Sequence, residues 1–134
     1  MRKFSLLIAA TAAIAGCTQA PPRHQTMEAD ARLQRMLAGK VAGSPIGCIP
    51  HQQSGKPSLV TPGAIAFQVN PGLVYVSNVE GSGCEGADDP MLTLVSKSSG
   101  PGLCSGDTIE IHDPRTRILV GACTLGPITA YSRP

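Results

Sequence analysis

Tryptophan is absent from this chain, and rings of any kind are few: two tyrosines and two phenylalanines in 134 residues. Phe4 lies near the first residue, so Phe67, Tyr75 and Tyr131 are the rings left to the rest of the chain. Sugar-stacking platforms and cages for methylated ammonium groups need several rings, and this composition disfavours both. Excess charge of one sign is also lacking. Arg2 and Lys3 account for the whole surplus of 11 basic over 9 acidic residues, and the chain that follows them is neutral. With no polybasic run, nothing supports electrostatic binding to nucleic acid. Long apolar runs are missing too. Residues 4–14 form the one notable stretch, too short to cross a bilayer, and no later stretch is longer.

That short run has informative flanks. Arg2 and Lys3 precede it, and the small residues Ala15 and Gly16 follow it. A positive start, an apolar middle and a small-residue end make an export signal. The next residue is Cys17, and Ile14-Ala15-Gly16-Cys17 resembles the lipobox of bacterial lipoproteins. Ile14 stands where Leu is commoner in that family. The resemblance implies that residues 1–16 are a signal peptide. It also implies that the Cys17 thiol receives a diacylglycerol, that cleavage follows before Cys17, and that the freed amine is acylated, with palmitate a typical chain. One acyl chain holds a protein marginally, whereas two or more hold it stably, at about 0.8 kcal/mol per buried CH₂. The membrane is therefore an expected partner. In well-studied envelopes an Asp after the cysteine retains a lipoprotein at the inner membrane. Thr18 points instead to the outer membrane, periplasmic face.

Four cysteines remain once Cys17 is spent on lipid: Cys48, Cys84, Cys104 and Cys123. An even count in an oxidising compartment reads as two disulfides. Fifteen glycines and 12 prolines leave a thin core of Val, Ile, Leu, Met and Ala, which cross-links would reinforce.

Residues 17–26, polar and containing Pro21-Pro22, read as a tether, and residues 27–134 as a single disulfide-containing, β-rich domain. Residues 27–38 read as a helix: Ala29, Leu33, Met36 and Leu37 make one apolar stripe, with Thr26 as N-cap and Gly39 just past the end. Beyond Ile46 the texture is β. Ile65, Phe67 and Val69 alternate with Ala66 and Gln68, and Asn70-Pro71-Gly72 predicts a hairpin into residues 73–77. The simplest pairing sets Val69 near Val74 and Phe67 near Val76. Further strands are expected at 91–95, 108–112, 117–121 and 128–131, with a loop over 96–102. The fold class is thus mostly β, a small antiparallel sheet curled into a barrel or sandwich, with one N-terminal helix.

Several motifs carry a chemical reading and a plainer one. Gly81-Ser82-Gly83-Cys84-Glu85-Gly86 matches the dinucleotide fingerprint, but no helix follows to meet a pyrophosphate. The glycines read as a turn around a disulfide. Ser105, Asp107, His112 and Asp113 hold the residue types of a hydrolase triad, yet Ser105 lacks the G-x-S-x-G elbow. His112 reads as a strand end and Asp107 as a turn carboxylate. Cys48-x-x-His51 has a zinc-ligand spacing without a second pair, and Asp88-Asp89 lacks the spaced oxygens of a calcium loop. No catalytic residue, cofactor or metal is assigned.

A turn centred between Asp113 and Pro114 would set Ile109 opposite Ile118, Glu110 opposite Arg117 and Cys104 opposite Cys123. This register predicts the disulfides Cys104–Cys123 and, by elimination, Cys48–Cys84. Face parity works against it unless a bulge at Gly106 resets the strand, and a longer turn shifts the register.

The stretches Leu37-Ala38-Gly39-Lys40-Val41-Ala42-Gly43, Cys48-Ile49, Leu103-Cys104-Ser105-Gly106-Asp107 and Cys123-Thr124-Leu125-Gly126 are similar to a group of small proteobacterial envelope lipoproteins. That resemblance implies a four-cysteine domain and carries over no catalytic residue, cofactor or partner. The expected function is a non-enzymatic structural or protein-interaction module that contacts an envelope protein. The alternatives are a small module binding a periplasmic ligand or envelope polymer and, third, a weak hydrolase.

Overall fold

A computed structural model describes residues 23–54, 59–81, 83, 84, 87, 89 and 91–134, with the side chains of 23–26 left aside. The signal-like stretch and Cys17 lie outside the described residues, as do Ser82, Glu85, Gly86 and Asp88.

Helix α1 spans Arg23–Leu37. It begins four residues before the expected start, so Thr26 lies within its first turn rather than capping it. The expected stripe is present. Ala29 is buried, and Leu33, Met36 and Leu37 pack on one face of the sheet. At the other end Gly39 takes a φ of 72°, where side chains other than glycine's are disfavoured. The Lys40 amide donates to the Leu37 carbonyl at 3.0 Å and its ammonium to the Met36 carbonyl at 2.6 Å.

Among the described residues nine strands follow: β1 (Val41–Ile46), β2 (Cys48–Pro50), β3 (Leu59–Val60), β4 (Ala64–Asn70), β5 (Leu73–Glu80), β6 (Thr93–Lys97), β7 (Gly102–Cys104), β8 (Thr108–His112) and β9 (Leu119–Ser132). Seven form one antiparallel sheet in the order β3-β4-β5-β9-β8-β6, with β1 also paired to β9. The sheet is strongly curled into a half-barrel. Strands β2 and β7 form a separate two-stranded ribbon.

Strand β9 is the spine. Along one edge it pairs with β5; along the other it pairs first with β8 and then with β1. Its 14 residues join the two short strands expected at 117–121 and 128–131, beginning two residues later than the first of them. Pro127 is accommodated beside a register shift between Ser77 and Val79 of β5, a place where a missing ladder amide is tolerated. At the same irregularity the Ser77 hydroxyl, fully buried, donates to the Gly126 carbonyl at 3.2 Å.

Both faces of the β4-β5 hairpin are covered. Ile65, Phe67 and Tyr75 point into the hollow with Ile109, Ile111, Leu125 and Ile128. Ala64, Ala66, Val74 and Val76 lie under α1. The expected register is one residue out: Phe67 pairs with Tyr75 and Gln68 with Val74, because the ladder shifts before Asn70 pairs with Leu73. Such a bulge adds one residue to one strand. The Asn70 side chain accepts from the Gly72 amide at 2.8 Å, closing the turn as expected. Strand β6 begins two residues after the predicted start at Met91 and runs on to Lys97, and β7 starts at Gly102, so the expected 96–102 loop is shortened to residues 98–101.

The β2-β7 ribbon closes on the hollow through Ile49 and Leu103, both buried in the main core. The two strands meet so closely that a Cβ on Gly102 would lie 2.0 Å from the Ile49 carbonyl oxygen. The disulfides are Cys48–Cys104 and Cys84–Cys123, which overturns the expected pairing. The physical reason is the β8-β9 register. Residues 113–118 form a loop in place of a two-residue turn, so Ile109 faces Cys123 and Glu110 faces Ala122. Cys104 is left to meet Cys48 across the ribbon.

Candidate functional site

Three features of the described residues have chemistry to offer: a charged triplet on β6 and β8, a turn before β8, and the loop after it.

The triplet comes from strand alternation. Ile109 and Ile111 face inward, so Glu110 and His112 face outward. Lys97, paired with Thr108 on the neighbouring strand, reaches diagonally to Glu110. Its Nζ lies 2.5 Å from Glu110 Oε1, and His112 Nε2 lies 2.9 Å from Oε2. An ionised carboxylate has no proton to give, so His112 Nε2 carries the hydrogen and donates it. The hydrogen bond from Lys97 first, and that from His112 second, hold the Glu110 carboxyl below the usual carboxylate range; desolvation opposes them. Sequence reasoning placed Glu110 opposite Arg117 and did not single out Lys97. The signal available was alternation in Thr93–Lys97, which puts Lys97 on the same face as Val95.

The turn before β8 holds Ser105, Gly106 and Asp107. Asp107 Oδ2 accepts from the Cys104 amide at 2.7 Å, and the Asp107 amide donates to the Cys104 carbonyl at 3.0 Å. Gly106 has a φ of 92° and donates to the Leu125 carbonyl at 2.7 Å. Asp107 therefore serves the turn, and His112 serves Glu110. Asp113 Oδ1 accepts from the amides of Arg115 and Thr116 at 2.7 and 3.3 Å. Among the described residues, no hydrogen bond joins Ser105, Asp107, His112 and Asp113 into a nucleophile–base pair.

The other motifs resolve similarly. The Cys48 sulfur is bonded to Cys104, which removes it as a metal ligand, and His51 Nε2 lies 3.1 Å from the Gly100 carbonyl. Asp89 Oδ1 accepts from the Met91 amide at 2.9 Å. Gly83 lies directly against β9, where a Cβ would fall 1.7 Å from the Ala122 carbonyl oxygen, and Cys84 beside it bonds to Cys123. That part of the Gly-rich motif is a turn at a disulfide. Among the described residues no group of three His, Cys, Asp or Glu side chains converges to hold a metal, and no helix is long and apolar enough to cross a membrane.

The turn expected at Asp113-Pro114 is a closed loop of residues 113–118, longer than the sequence reading set it. Asp113 and Ile118 close it backbone to backbone at 3.0 Å, and the Arg117 amide donates to the Asp113 carbonyl at 2.7 Å. Arg117 holds a φ of 58°. Ile118, Leu119 and Val120, which follow, are all exposed. The available signal was three consecutive apolar residues after two arginines, a pattern alternation does not produce in a half-buried strand.

No protein-family model matches this chain, and neither a curated protein nor a solved structure matches it.

Proposed function

We propose that this protein is a lipid-anchored envelope module that acts by contact rather than by catalysis. The single observation carrying the anchor is Cys17, placed directly after a short apolar run and two small residues. In this reading acylated Cys17 holds the folded part, from Arg23 onward, at the periplasmic face of the outer membrane through a short tether. The non-enzymatic part is supported by what the polar side chains do: Asp107 and Asp113 organise turns, and Glu110 binds Lys97 and His112. The contact part is supported by β6, which ends the strand order of the large sheet and exposes Val95. A strand edge of this kind is a template for an added strand.

Fractionation and crosslinking test the reading together. The wild-type protein is expected with membranes, and a photo-crosslinker at Val95 is expected to trap one discrete envelope protein. Ser105→Ala and His112→Ala are expected to leave the cellular phenotype intact. A clean loss of function in either variant, with folding and export preserved, replaces this reading with the hydrolase one.

A further inference from the structure

The geometry points to residues 113–120, the closed loop of 113–118 and the first two residues of β9, as a docking surface for an anionic phospholipid bilayer. Ile118, Leu119 and Val120 are 61%, 51% and 54% exposed, three adjacent apolar side chains left in water. Arg115 and Arg117 stand beside them, and neither forms an ion pair among the described residues. The nearest carboxylate in sequence, Asp113, is engaged by two amides of the loop itself. The loop is also preformed. Bonds from Asp113 to Ile118, Arg115, Thr116 and Arg117 fix its shape and hold Ile118 out, and pairing of Leu119 with His112 fixes the start of β9 beside it. Strand β5 pairs with β9 only from Thr124 onward, which leaves residues 119 and 120 without a β5 partner.

Cationic groups beside exposed apolar ones suit the headgroup layer, where guanidinium meets phosphate and aliphatic side chains reach the acyl boundary. A second copy is a poorer occupant, because two such loops face to face oppose four arginines. A large protein partner is poorer as well, since a stable interface takes roughly 20–30 residues a side and this loop offers few. The setting rests on the lipid-anchored reading. Cys17 and Arg23 are six residues apart, at most about 20 Å when extended, so an acylated chain stays near its bilayer.

The test uses the chain from residue 17 onward carrying Cys17→Ser, which removes signal and lipid and keeps every described residue. Because the chain has no tryptophan, Ile118→Trp gives a single fluorescent reporter at the loop. With phosphatidylethanolamine–phosphatidylglycerol vesicles its emission is expected to shift to the blue and to be quenched by brominated acyl chains. Phosphatidylcholine vesicles are expected to do neither. In sedimentation, Arg115→Gln with Arg117→Asn is expected to weaken binding at least tenfold, as is Ile118→Ser with Leu119→Ser. Equal binding to neutral and anionic vesicles, binding indifferent to both double variants, or no vesicle binding overturns the inference. A dimer, or a protein adduct, that depends on Ile118 and Leu119 while vesicles are ignored does the same. The anchor is judged separately by the mass of native Cys17. Lipid on Cys17 with a loop that ignores vesicles defeats this inference alone, and a loop that binds vesicles without lipid on Cys17 defeats the anchor alone.

Discussion

Cys48 and Cys104 sit directly opposite each other in the β2-β7 ribbon, their Cα atoms 3.9 Å apart and their sulfurs bonded. The ribbon carries Ile49 and Leu103 into the core, so this bond and that packing hold the same two strands together. The second bridge, Cys84–Cys123, ties the Gly-rich turn to β9.

The two bridges differ in access. Cys48 and Cys104 are half-buried, whereas Cys84 and Cys123 are 1% and 5% exposed. Stepwise reduction with a water-soluble phosphine, followed by alkylation and peptide mapping, is expected to open Cys48–Cys104 first. Recovery of Cys104 linked to Cys123 contradicts the fold described here. Replacing both Cys84 and Cys123 by Ala is expected to cost about 2–4 kcal/mol, the usual contribution of a bridge closing a loop of this order.

Gly102 and Gly47 form a matched pair for testing the close approach of the ribbon. A Cβ on Gly102 would meet the Ile49 backbone at 2.0 Å, while one on Gly47 would meet nothing within 4 Å. Gly102→Ala is expected to destabilise by about 1–3 kcal/mol through forced backbone movement. Gly47→Ala is expected to change stability by less than about 0.5 kcal/mol. Urea unfolding of both variants checks the contrast, and equal effects would count against the ribbon.

Glu110 gives the protein an acid-range dependence with a definite sign. Its folded carboxyl is held low by Lys97 and then His112. The contribution is therefore complete above the ordinary glutamate value of about 4.3 and is lost as pH falls through the lower folded value. Thermal unfolding between pH 7 and pH 3 should show wild type losing more stability in that acid window than Glu110→Gln. An identical decline in both proteins would mean the triplet contributes nothing.

Arg117 occupies a φ of 58° that β-branched residues resist. Arg117→Gly is expected to be neutral or slightly stabilising, and Arg117→Val to cost about 1–3 kcal/mol. Chemical denaturation of the two variants separates a strained loop from a relaxed one.

The parts of this fold legible in the chain are those set by local chemistry. The apolar stripe of α1, Gly39 at its end, the Asn70-Pro71-Gly72 turn and the turn role of Asp107 all follow from neighbours in sequence. Long-range pairings were not legible. A bulge before Asn70 moves one hairpin by a residue, and the closed loop of residues 113–118 moves the other further. Each shift depends on how a turn packs, which composition does not encode. The disulfide partners inherited the second error, since Cys104 was placed by register. The triplet was half visible: Glu110 and His112 share a face by alternation, but Lys97 joins them through a strand two elements earlier.

Intact-mass analysis of the exported protein decides whether Cys17 is a lipid anchor. The mature chain is expected to begin at Cys17 and to carry acyl chains on that residue, and Cys17→Ser is expected to abolish both the added mass and the cleavage before residue 17. A mature chain that begins at another residue, or that begins at Cys17 with no added lipid, contradicts the anchor.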